Sequence, residues 1–384
     1  MNPSHQAIHK MIIIWSFSFS IIVLYISVQI WQLSVLKKYR SNKTKHGKHE
    51  NLPAIGIWVA CRNEEENLAE CIDSLLGLNY PKEKIQILIG NDQSEDRTLE
   101  IAQSYEKEHS HIQVINIQDD ESGLKAKARV MAQIDKHAVG EYYVITDADV
   151  RVKPDWILGL LSNMNDDTGV ASGTTMVKGS GTDGWLQEID WAYFMGLLNV
   201  ISYSGVPATA VGNNMIVRKK AYWDTGGYSE IKFSITEDYK LYQKVCEKGW
   251  KWNNIMNAHV LAYSEKTNGS SNLLHQRKRW LSGGKELPWY WWLLFGVYGG
   301  FYFAIPILLA SGGTYYSCVF GLWGIKFILQ SLQINRIYDH IDEVKPSLFR
   351  HLVYEIYLFL ITISTAIFFL LPLKTKWKDR AYKV

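Results

Sequence analysis

No Asp, Glu, Lys or Arg occurs between Lys10 and Lys37 or between Glu286 and Lys326, gaps of 26 and 39 residues in a chain of 384. A bilayer core about 30 Å thick is crossed by about 20 apolar residues of helix, so both gaps predict membrane segments. The first gap is too long for an ordinary signal peptide and lacks a small-residue cleavage site, which predicts an uncleaved anchor. Cysteine is equally sparse. Cys61, Cys71, Cys246 and Cys318 are scattered without metal-ligand spacing, which argues against a disulfide framework and for a reducing compartment. The chain has no G-x-x-x-x-G-K-[ST] phosphate loop. Arg62-Asn63-Glu64 stands where a dinucleotide enzyme would carry G-x-G-x-x-G after its first strand, so P-loop ATPases and Rossmann oxidoreductases are disfavoured. No repeat of solenoid type is visible.

What is present fits a folded protein. A hydrophobic content of 47% with 21% charged residues excludes disordered, collagen-like and coiled-coil chains. The net charge of +3 is misleading, because Lys37, Lys38, Arg40, Lys43, Lys45 and Lys48 form one basic run without an acid. Without that run the chain would be net negative, so no nucleic-acid partner is expected. As a positive-inside signal the run places the N-terminus outside and the middle of the chain in the cytosol; it also reads as a solvated linker. The expected organisation is an anchor at 1–36, a basic linker at 37–51, a cytosolic domain at 52–286, a C-terminal membrane region of two to three spans at 287–373, and a basic cytosolic tail at 374–384. In the membrane region a break is expected near Ser311-Gly312-Gly313, a charged piece at Asn335 to Arg350, and a last uncharged stretch at Ile356 to Leu373. Trp289, Tyr290, Trp291 and Trp292 cluster where the chain would meet the bilayer surface. Four full spans starting outside would end outside, yet the tail with Lys374, Lys376, Lys378, Arg380 and Lys383 is basic. One segment is therefore expected to be interfacial or re-entrant. The chain reads as a multi-pass protein of the plasma (inner) membrane.

Between Leu52 and Thr146 short β-rich runs alternate with helical patterns. Strands are expected at Ala54 to Ala60, Ile85 to Ile89, Ile112 to Ile117 and Glu141 to Thr146. The intervening helices carry Leu68, Cys71, Ile72, Leu75 and Leu76 at three-and-four spacing, then span about Glu95 to Glu108 and Leu124 to His137. Strands joined by helices of this length form right-handed crossovers in a parallel sheet, so the class is α/β. Ligands of such sheets bind beyond the carboxyl ends of the strands, and those ends are polar here: Cys61-Arg62-Asn63-Glu64-Glu65-Glu66, Asn91-Asp92-Gln93-Ser94, Asp119-Asp120-Glu121 and Asp147-Ala148-Asp149. Each alone could be a helix cap or a solvated turn. Gathered on one edge the carboxylates repel one another unless a cation sits among them, which points to a metal-dependent site.

Asp147 and Asp149 leave the sheet two residues apart, spaced to share one divalent ion with a diphosphate. Asp92 is placed to accept hydrogen bonds from a nucleobase or ribose, or else to cap the next helix, for which Ser94 is the better candidate. Lys127, in the first turn of the helix after strand three, would meet a base or phosphate or remain solvated. Thr236 is a helix-cap candidate before Glu237 and Asp238, acids that either act chemically or favour the helix dipole. Gln276-Arg277-Lys278-Arg279-Trp280 is a basic-aromatic run ahead of the membrane, read equally as a snorkelling juxtamembrane helix.

In this order, Ala60-Cys61-Arg62-Asn63-Glu64-Glu65, Asn91-Asp92-Gln93-Ser94-Glu95-Asp96, Asp147-Ala148-Asp149, Thr236-Glu237-Asp238 and Gln276-Arg277-Lys278-Arg279-Trp280 resemble the motifs of family 2 glycosyltransferases, the inverting GT-A enzymes. The likeness extends over residues 52 to 285 and the flanking membrane segments. It is to the membrane-embedded branch that includes cellulose, chitin and hyaluronan synthases and ceramide glucosyltransferase. It implies a Rossmann-like, mostly parallel GT-A domain between an N-terminal transmembrane anchor and a C-terminal transmembrane helix bundle. It implies that Asp92 and Lys127 contact the nucleotide and that Asp147 and Asp149, the DxD motif, hold Mg or Mn against the diphosphate. It further implies that Asp238 is the general base, that the QxxRW motif of Gln276, Arg279 and Trp280 closes over diphosphate and acceptor, and that Gly212-Asn213-Asn214 lines the acceptor side. Arg62, Glu64, Asn213 and Glu237 complete the expected substrate contacts. Asn91 departs from the resemblance, standing where the family often has a second Asp.

The expected reaction moves a sugar from a nucleotide sugar, UDP-linked in the family's usual case, to a hydroxyl of a lipid or glycan acceptor, with inversion. Trp280 and Trp289 lie within ten residues of each other, which puts the site's exit at the bilayer surface. Three C-terminal segments supply little wall for a polymer channel, so a glycolipid or short glycan is the expected product; a homo-oligomer or helper subunit would supply more wall and favour a processive polysaccharide synthase. Two readings compete: a metal-dependent phosphoryl or nucleotidyl transferase that uses the same acidic edge on a membrane lipid, and a catalytically silent membrane subunit that keeps the fold for partner binding.

Overall fold

The computed structural model describes residues 3–40, 52–119, 123–231, 234, 236–310, 316–373, 375–377 and 380–382. The break at Ser311-Gly312-Gly313, Asp120 and Glu121, Lys43, Lys45 and Lys48 of the basic run, and Lys374, Lys378 and Lys383 of the tail lie outside the described residues. Helix α1 (Pro3–Lys38) leads into an α/β body. The body begins β1 (Ile55–Cys61), α2 (Leu68–Leu76), β2 (Ile85–Asn91), α3 (Thr98–Glu108), β3 (Ile112–Asn116), α4 (Ala126–Ile134) and β4 (Tyr142–Asp147). It continues β5 (Val150–Val152), α5 (Trp156–Leu161), β6 (Thr168–Ser172), β7 (Thr175–Lys178), α6 (Gly181–Tyr203), β8 (Asn214–Arg218), α7 (Lys219–Asp224), α8 (Glu237–Glu247), β9 (Lys251–Asn254), β10 (Ala262–Glu265) and α9 (Ser270–Gly283). The chain ends with α10 (Trp289–Ala310), α11 (Tyr316–Ile341), α12 (Leu348–Leu370) and a small hairpin of β11 (Thr375–Trp377) and β12 (Arg380–Tyr382).

The main sheet has the order β3-β2-β1-β4-β8-β6-β9. The pairs β1–β2, β1–β4 and β2–β3 are parallel, as the alternating strand and helix pattern requires; β8 is antiparallel to both β4 and β6. Strand β1 is buried on both faces, with Ile57, Trp58 and Val59 all fully buried, because helices cover each side of the sheet. A second sheet, β5-β10-β7, stands beside it. The architecture is thus α/β with a mainly parallel sheet.

Several boundaries differ from expectation. Helix α3 starts at Thr98, not near Glu95, because Asp96 Oδ1 accepts from Thr98 N at 3.0 Å. Ser94 therefore does not cap it; its Oγ accepts from Asn63 N at 3.1 Å and ties the β1 and β2 loops together. Helix α4 is shorter than Leu124 to His137, since Lys125 is extended and residues 135–137 tighten into a 3-10 turn. Thr236 occupies the N-cap position of α8 without a side-chain capping bond. Its Oγ1 instead lies 3.2 Å from Ser234 Oγ.

Among the described residues, four helices are long and apolar enough to cross a membrane: α1, α10, α11 and α12. The piece Asn335 to Arg350 is not a separate amphipathic element. Its first part completes α11 and its last residues open α12. Helix α6 is not legible in the sequence because its buried residues run all round it, including Leu186, Ile189, Ala192, Met195 and Leu198, so it shows no apolar stripe. It packs between the body and the membrane helices; Gly196 lies so close to α11 that a Cβ there would come within 2.2 Å of Ile337 Cδ1.

Asn214 locks the two sheets to each other. Fully buried, it accepts from Trp156 Nε1 at 2.9 Å and donates to Thr174 O at 3.0 Å and Val260 O at 2.9 Å. Asn214→Ala leaves these groups unpaired and is expected to cost about 3 kcal/mol, read as a lowered thermal midpoint in detergent. A midpoint equal to wild type would show that the hub is dispensable.

Candidate active site

One cleft opens over the carboxyl ends of β1, β2 and β4. It is lined by Arg62, Glu64, Asp92, Lys127, Asp147, Asp149, Asn213, Glu237, Asp238, Gln276, Arg279 and Trp280, which places every expected site residue around a single space. Three non-glycine residues with left-handed backbone stand at this rim: Asn63 (φ 49°), Gln93 (φ 56°) and Ala126 (φ 50°). Such conformations persist where the surroundings enforce them. Here the loops are cross-tied, with Asn63 Oδ1 accepting from Glu95 N at 2.9 Å and Arg62 donating to Asp92 O at 2.7 Å and Gln93 O at 2.8 Å. Arg62 thus shapes the loop after β2. Glu64 Oε2 accepts from Asn67 Nδ2 at 3.0 Å beside the start of α2.

Helix α4 brings two cations into the acidic edge. Lys127 Nζ binds Asp147 Oδ1, donates to Gly212 O at 3.0 Å and lies 4.0 Å from Glu237 Oε1. Burial works against the charge on Lys127, but Asp147, Glu237 and Asp238 outweigh it and raise its pKa. It is a buried bridge between β4, α8 and the 212 loop, so the solvated alternative does not describe it. Further along the same helix, Arg129 donates to Asp92 Oδ1 at 2.7 Å and pairs with Asp119. Sequence reasoning misses Arg129; its position two residues after Lys127 on a helix facing the strand ends is the available signal. The Asp92 carboxylate is held by this pair and does not cap α3. Asn91, the departure from the family pattern, joins β2 to β3 by donating to Asn116 Oδ1 at 3.1 Å and accepts from Ser94 N at 3.4 Å.

Asp238 stands in the first turn of α8. Its Oδ2 accepts from Gly212 N at 2.8 Å and its Oδ1 from Tyr239 N at 2.8 Å. Residue 212 has to be glycine for this approach, since a Cβ there would sit 2.7 Å from that of Asp238. Glu237 beside it is pushed up to about 7, first by burial and then by the negative charge of Asp238, with Lys127 pulling the other way. Asp149 Oδ2 accepts from Ser264 Oγ at 3.1 Å. Asn213 Oδ1 accepts from Thr175 Oγ1 at 2.9 Å.

The far wall is α9. Gln276 Oε1 accepts from Thr267 Oγ1 at 3.1 Å, and Thr267 is clamped by Gln187 of α6, which donates to its carbonyl and accepts from its N–H, both at 3.0 Å. Trp280 packs against Trp191 of α6 with ring centroids 4.9 Å apart. The two intervening cations do not snorkel. Arg277 pairs with Asp190 of α6, whose proximity raises the guanidinium pKa against the opposing effect of burial, and Lys278 donates to Phe368 O at 3.2 Å.

Among the described residues no three His, Cys, Asp or Glu side chains form a metal cage. A hard cation of the Mg type is commonly held by one or two carboxylates with substrate phosphates completing its shell. The two carboxylates Asp147 and Asp149 in an otherwise open cleft fit that arrangement.

The chain belongs to Glycosyl transferase family 21, whose model matches residues 17–384. It is similar to the poly-beta-1,6-N-acetyl-D-glucosamine synthase of Staphylococcus aureus, 28% identical over 259 residues that make up 65% of this chain and 59% of that protein. The synthase of the same name from Staphylococcus epidermidis is 27% identical over 260 residues, with the same shares covered. The matched region is thus 59% of the length of these curated relatives. Among solved structures, a mannosyltransferase from Pyrobaculum calidifontis, in complex with GDP-Man and Mn2+, has the same fold, with a TM-score of 0.56 at 14% identity over 94% of this chain and 97% of that one.

The raised Glu237 sets a pH dependence. Between about 4.5 and about 7 the folded carboxyl keeps a proton that the unfolded one has lost, so stability is greatest at the acid end and falls through that window by about 1–3 kcal/mol. Glu237→Gln is expected to flatten this fall in thermal midpoints of the nucleotide-free protein between pH 5 and pH 7.5. An identical slope in the variant would mean that Glu237 is ionised throughout.

Proposed function

We propose that this member of Glycosyl transferase family 21 transfers a sugar from a nucleotide sugar to an acceptor hydroxyl with inversion at the anomeric carbon. The observation that carries the reading is the cleft that Asp92, Asp147, Asp149, Asp238, Arg279 and Trp280 line together. Asp92, fixed by Arg129, would accept from a base or ribose of the donor. Asp147 and Asp149 would hold Mg or Mn, which offsets the charge of the donor diphosphate. Asp238, held by two backbone N–H groups, would take the acceptor proton as the acceptor oxygen attacks the anomeric carbon and the bond to the nucleoside diphosphate breaks; such a base is worth typically 10²- to 10⁴-fold. Arg279 would favour the charge that develops on the departing diphosphate. Trp280 offers the acceptor an apolar face.

For the acceptor, the similarity to two polysaccharide synthases supports a growing glycan, which moves the reading away from the glycolipid suggested by the small number of membrane segments. The basic run at the end of α1 supports a cytosolic catalytic body and an N-terminus on the outside. Within the embedded branch the finer assignment to cellulose, chitin, hyaluronan or ceramide-type enzymes is left to the product. Transfer of a phosphoryl or nucleotidyl group remains the competing chemistry, and it would release pyrophosphate or a nucleoside monophosphate.

Detergent-solubilised protein incubated with a panel of nucleotide sugars and membrane lipid extract is expected to release a nucleoside diphosphate and a glycosylated product of matching mass. Release of pyrophosphate or monophosphate alone would overturn the reading. Asp238→Asn should bind nucleoside diphosphate like wild type while turnover drops by about 10²-fold or more; undiminished turnover removes Asp238 from the proton transfer. Asp149→Ala should lose the metal-dependent part of nucleotide binding, measured by titration with and without Mg.

A further inference from the structure

Helix α12 has 23 residues, about 34 Å at 1.5 Å each, enough to cross a bilayer. Yet both of its ends are fastened to the α/β body. In the turn before it, Glu343 accepts from Tyr263 Oη of β10 and pairs with Lys178 of β7 at 3.2 Å and Lys153 at 3.9 Å. In its first turns Arg350 lies 5.5 Å over the Trp185 ring of α6, and Tyr354 Oη donates to Asp190 of α6 at 3.1 Å. At the other end Lys278 of α9 donates to the carbonyls of Phe368 and Leu371, groups that a helix terminus leaves without intrahelical partners. His275 of α9 meets the Phe368 ring edge-on at 5.0 Å, and β11, next along the chain, packs on α9 as well.

Helix α11 behaves differently. Its last residues join the body side, where His340 Nε2 lies 3.0 Å from Leu36 O at the end of α1. Val319, near its start, packs with Ile22, Ile305 and Leu308 of the other membrane helices. With 26 residues it carries Cys318 roughly 35 Å away from the body end. A crossing helix separates its ends in this way; α12 reaches the same cluster with its middle, through Leu358 and Phe359, while both of its ends are held by the body.

We infer that α12 does not cross the bilayer but is set obliquely into the leaflet facing the α/β body. Its exposed stripe of Phe349, Leu352, Ile356, Leu360, Ile367 and Leu370 recurs mostly every three or four residues, the spacing of one helix face. The acyl chains of that leaflet cover it. The opposite face carries the buried His351, Tyr354, Glu355 and Ile361, with Glu355 paired to Lys326 of α11. Crossings by α1, α10 and α11 alone return the tail to the body's side, which removes the conflict between four crossings and a basic terminus.

The test is the sidedness of single cysteines in the full chain, reconstituted or isolated in vesicles of known orientation and treated with a membrane-impermeant maleimide. Native Cys318, exposed near the start of α11, marks one side. Cys246, half-exposed on the body, is replaced by Ser throughout, and Cys61 and Cys71 are buried; with Cys318→Ser added, Gln103→Cys on α3 marks the body, Lys345→Cys the turn before α12, and Ala381→Cys the tail. The expected result is that positions 103, 345 and 381 react together and Cys318 reacts from the opposite side. Reaction of position 381 with Cys318, and not with position 345, would overturn the inference. A fluorophore on Ile356→Cys should be quenched by brominated lipid; an unquenched label together with cross-linking between copies would replace the leaflet with a second chain.

Discussion

Carboxylates do not collect at one sheet edge without a compensating charge, and in this protein α4 supplies it. Lys127 and Arg129, two residues apart, reach in different directions: one to Asp147, Glu237 and the 212 loop, the other to Asp92 and Asp119. Each buried cation on its own would be costly to desolvate, and each carboxylate likewise. Together they form a network that keeps the strand ends, the 212 loop and the first turn of α8 in register. The acidic rim is therefore assembled before any donor arrives, and the repulsion between Glu237 and Asp238 is absorbed by a raised Glu237 pKa while Asp238 is held by backbone donors.

The second constraint is mechanical. The wall formed by α9 is attached to α6 by Arg277–Asp190, Gln187–Thr267 and the Trp191–Trp280 contact, and to α12 by Lys278. Helix α6 packs in turn on α11, through Tyr338 Oη donating to Glu188 at 3.1 Å and the close approach of Gly196 to Ile337. The residues of one short basic-aromatic run thus alternate in duty. Gln276, Arg279 and Trp280 line the cleft, Arg277 lines it and ties the helix to α6, and Lys278 fastens the helix to α12.

The parallel strands β1 to β4 are legible because each is a short apolar run bounded by polar turns and followed by a helix with apolar residues on one face. The polar strand ends and the first turn of α8 are legible for a related reason: uncommon clusters of acids recur at the same point of each crossover. What fails is local. Ser94 has the right chemistry to cap α3, yet a tertiary partner, Asn63 N, claims its hydroxyl, and Asp96 two residues later takes the exposed N–H of Thr98. Arg129 and Asp190 carry no motif of their own; each matters because a partner far along the chain is folded against it. Helix α6 is buried on too many sides to display a periodic face.

If α12 stays in one leaflet, as inferred above, hydropathy alone overcounts the crossings. Window hydropathy reads α12 as apolar and long enough, and so it is, but length sets only what a helix can span. What it does span is decided at its ends, where α12 offers carbonyls to Lys278 on one side and follows a turn whose Glu343 is held by Tyr263, Lys178 and Lys153 on the other. A helix held at both ends by the same α/β body keeps those ends on one face of the bilayer. On the inference drawn for α12, the same attachments hold Trp280 and the cleft mouth against its leaflet, and an acceptor meeting Asp238 as proposed would do so beside the lipid surface and not out in solvent.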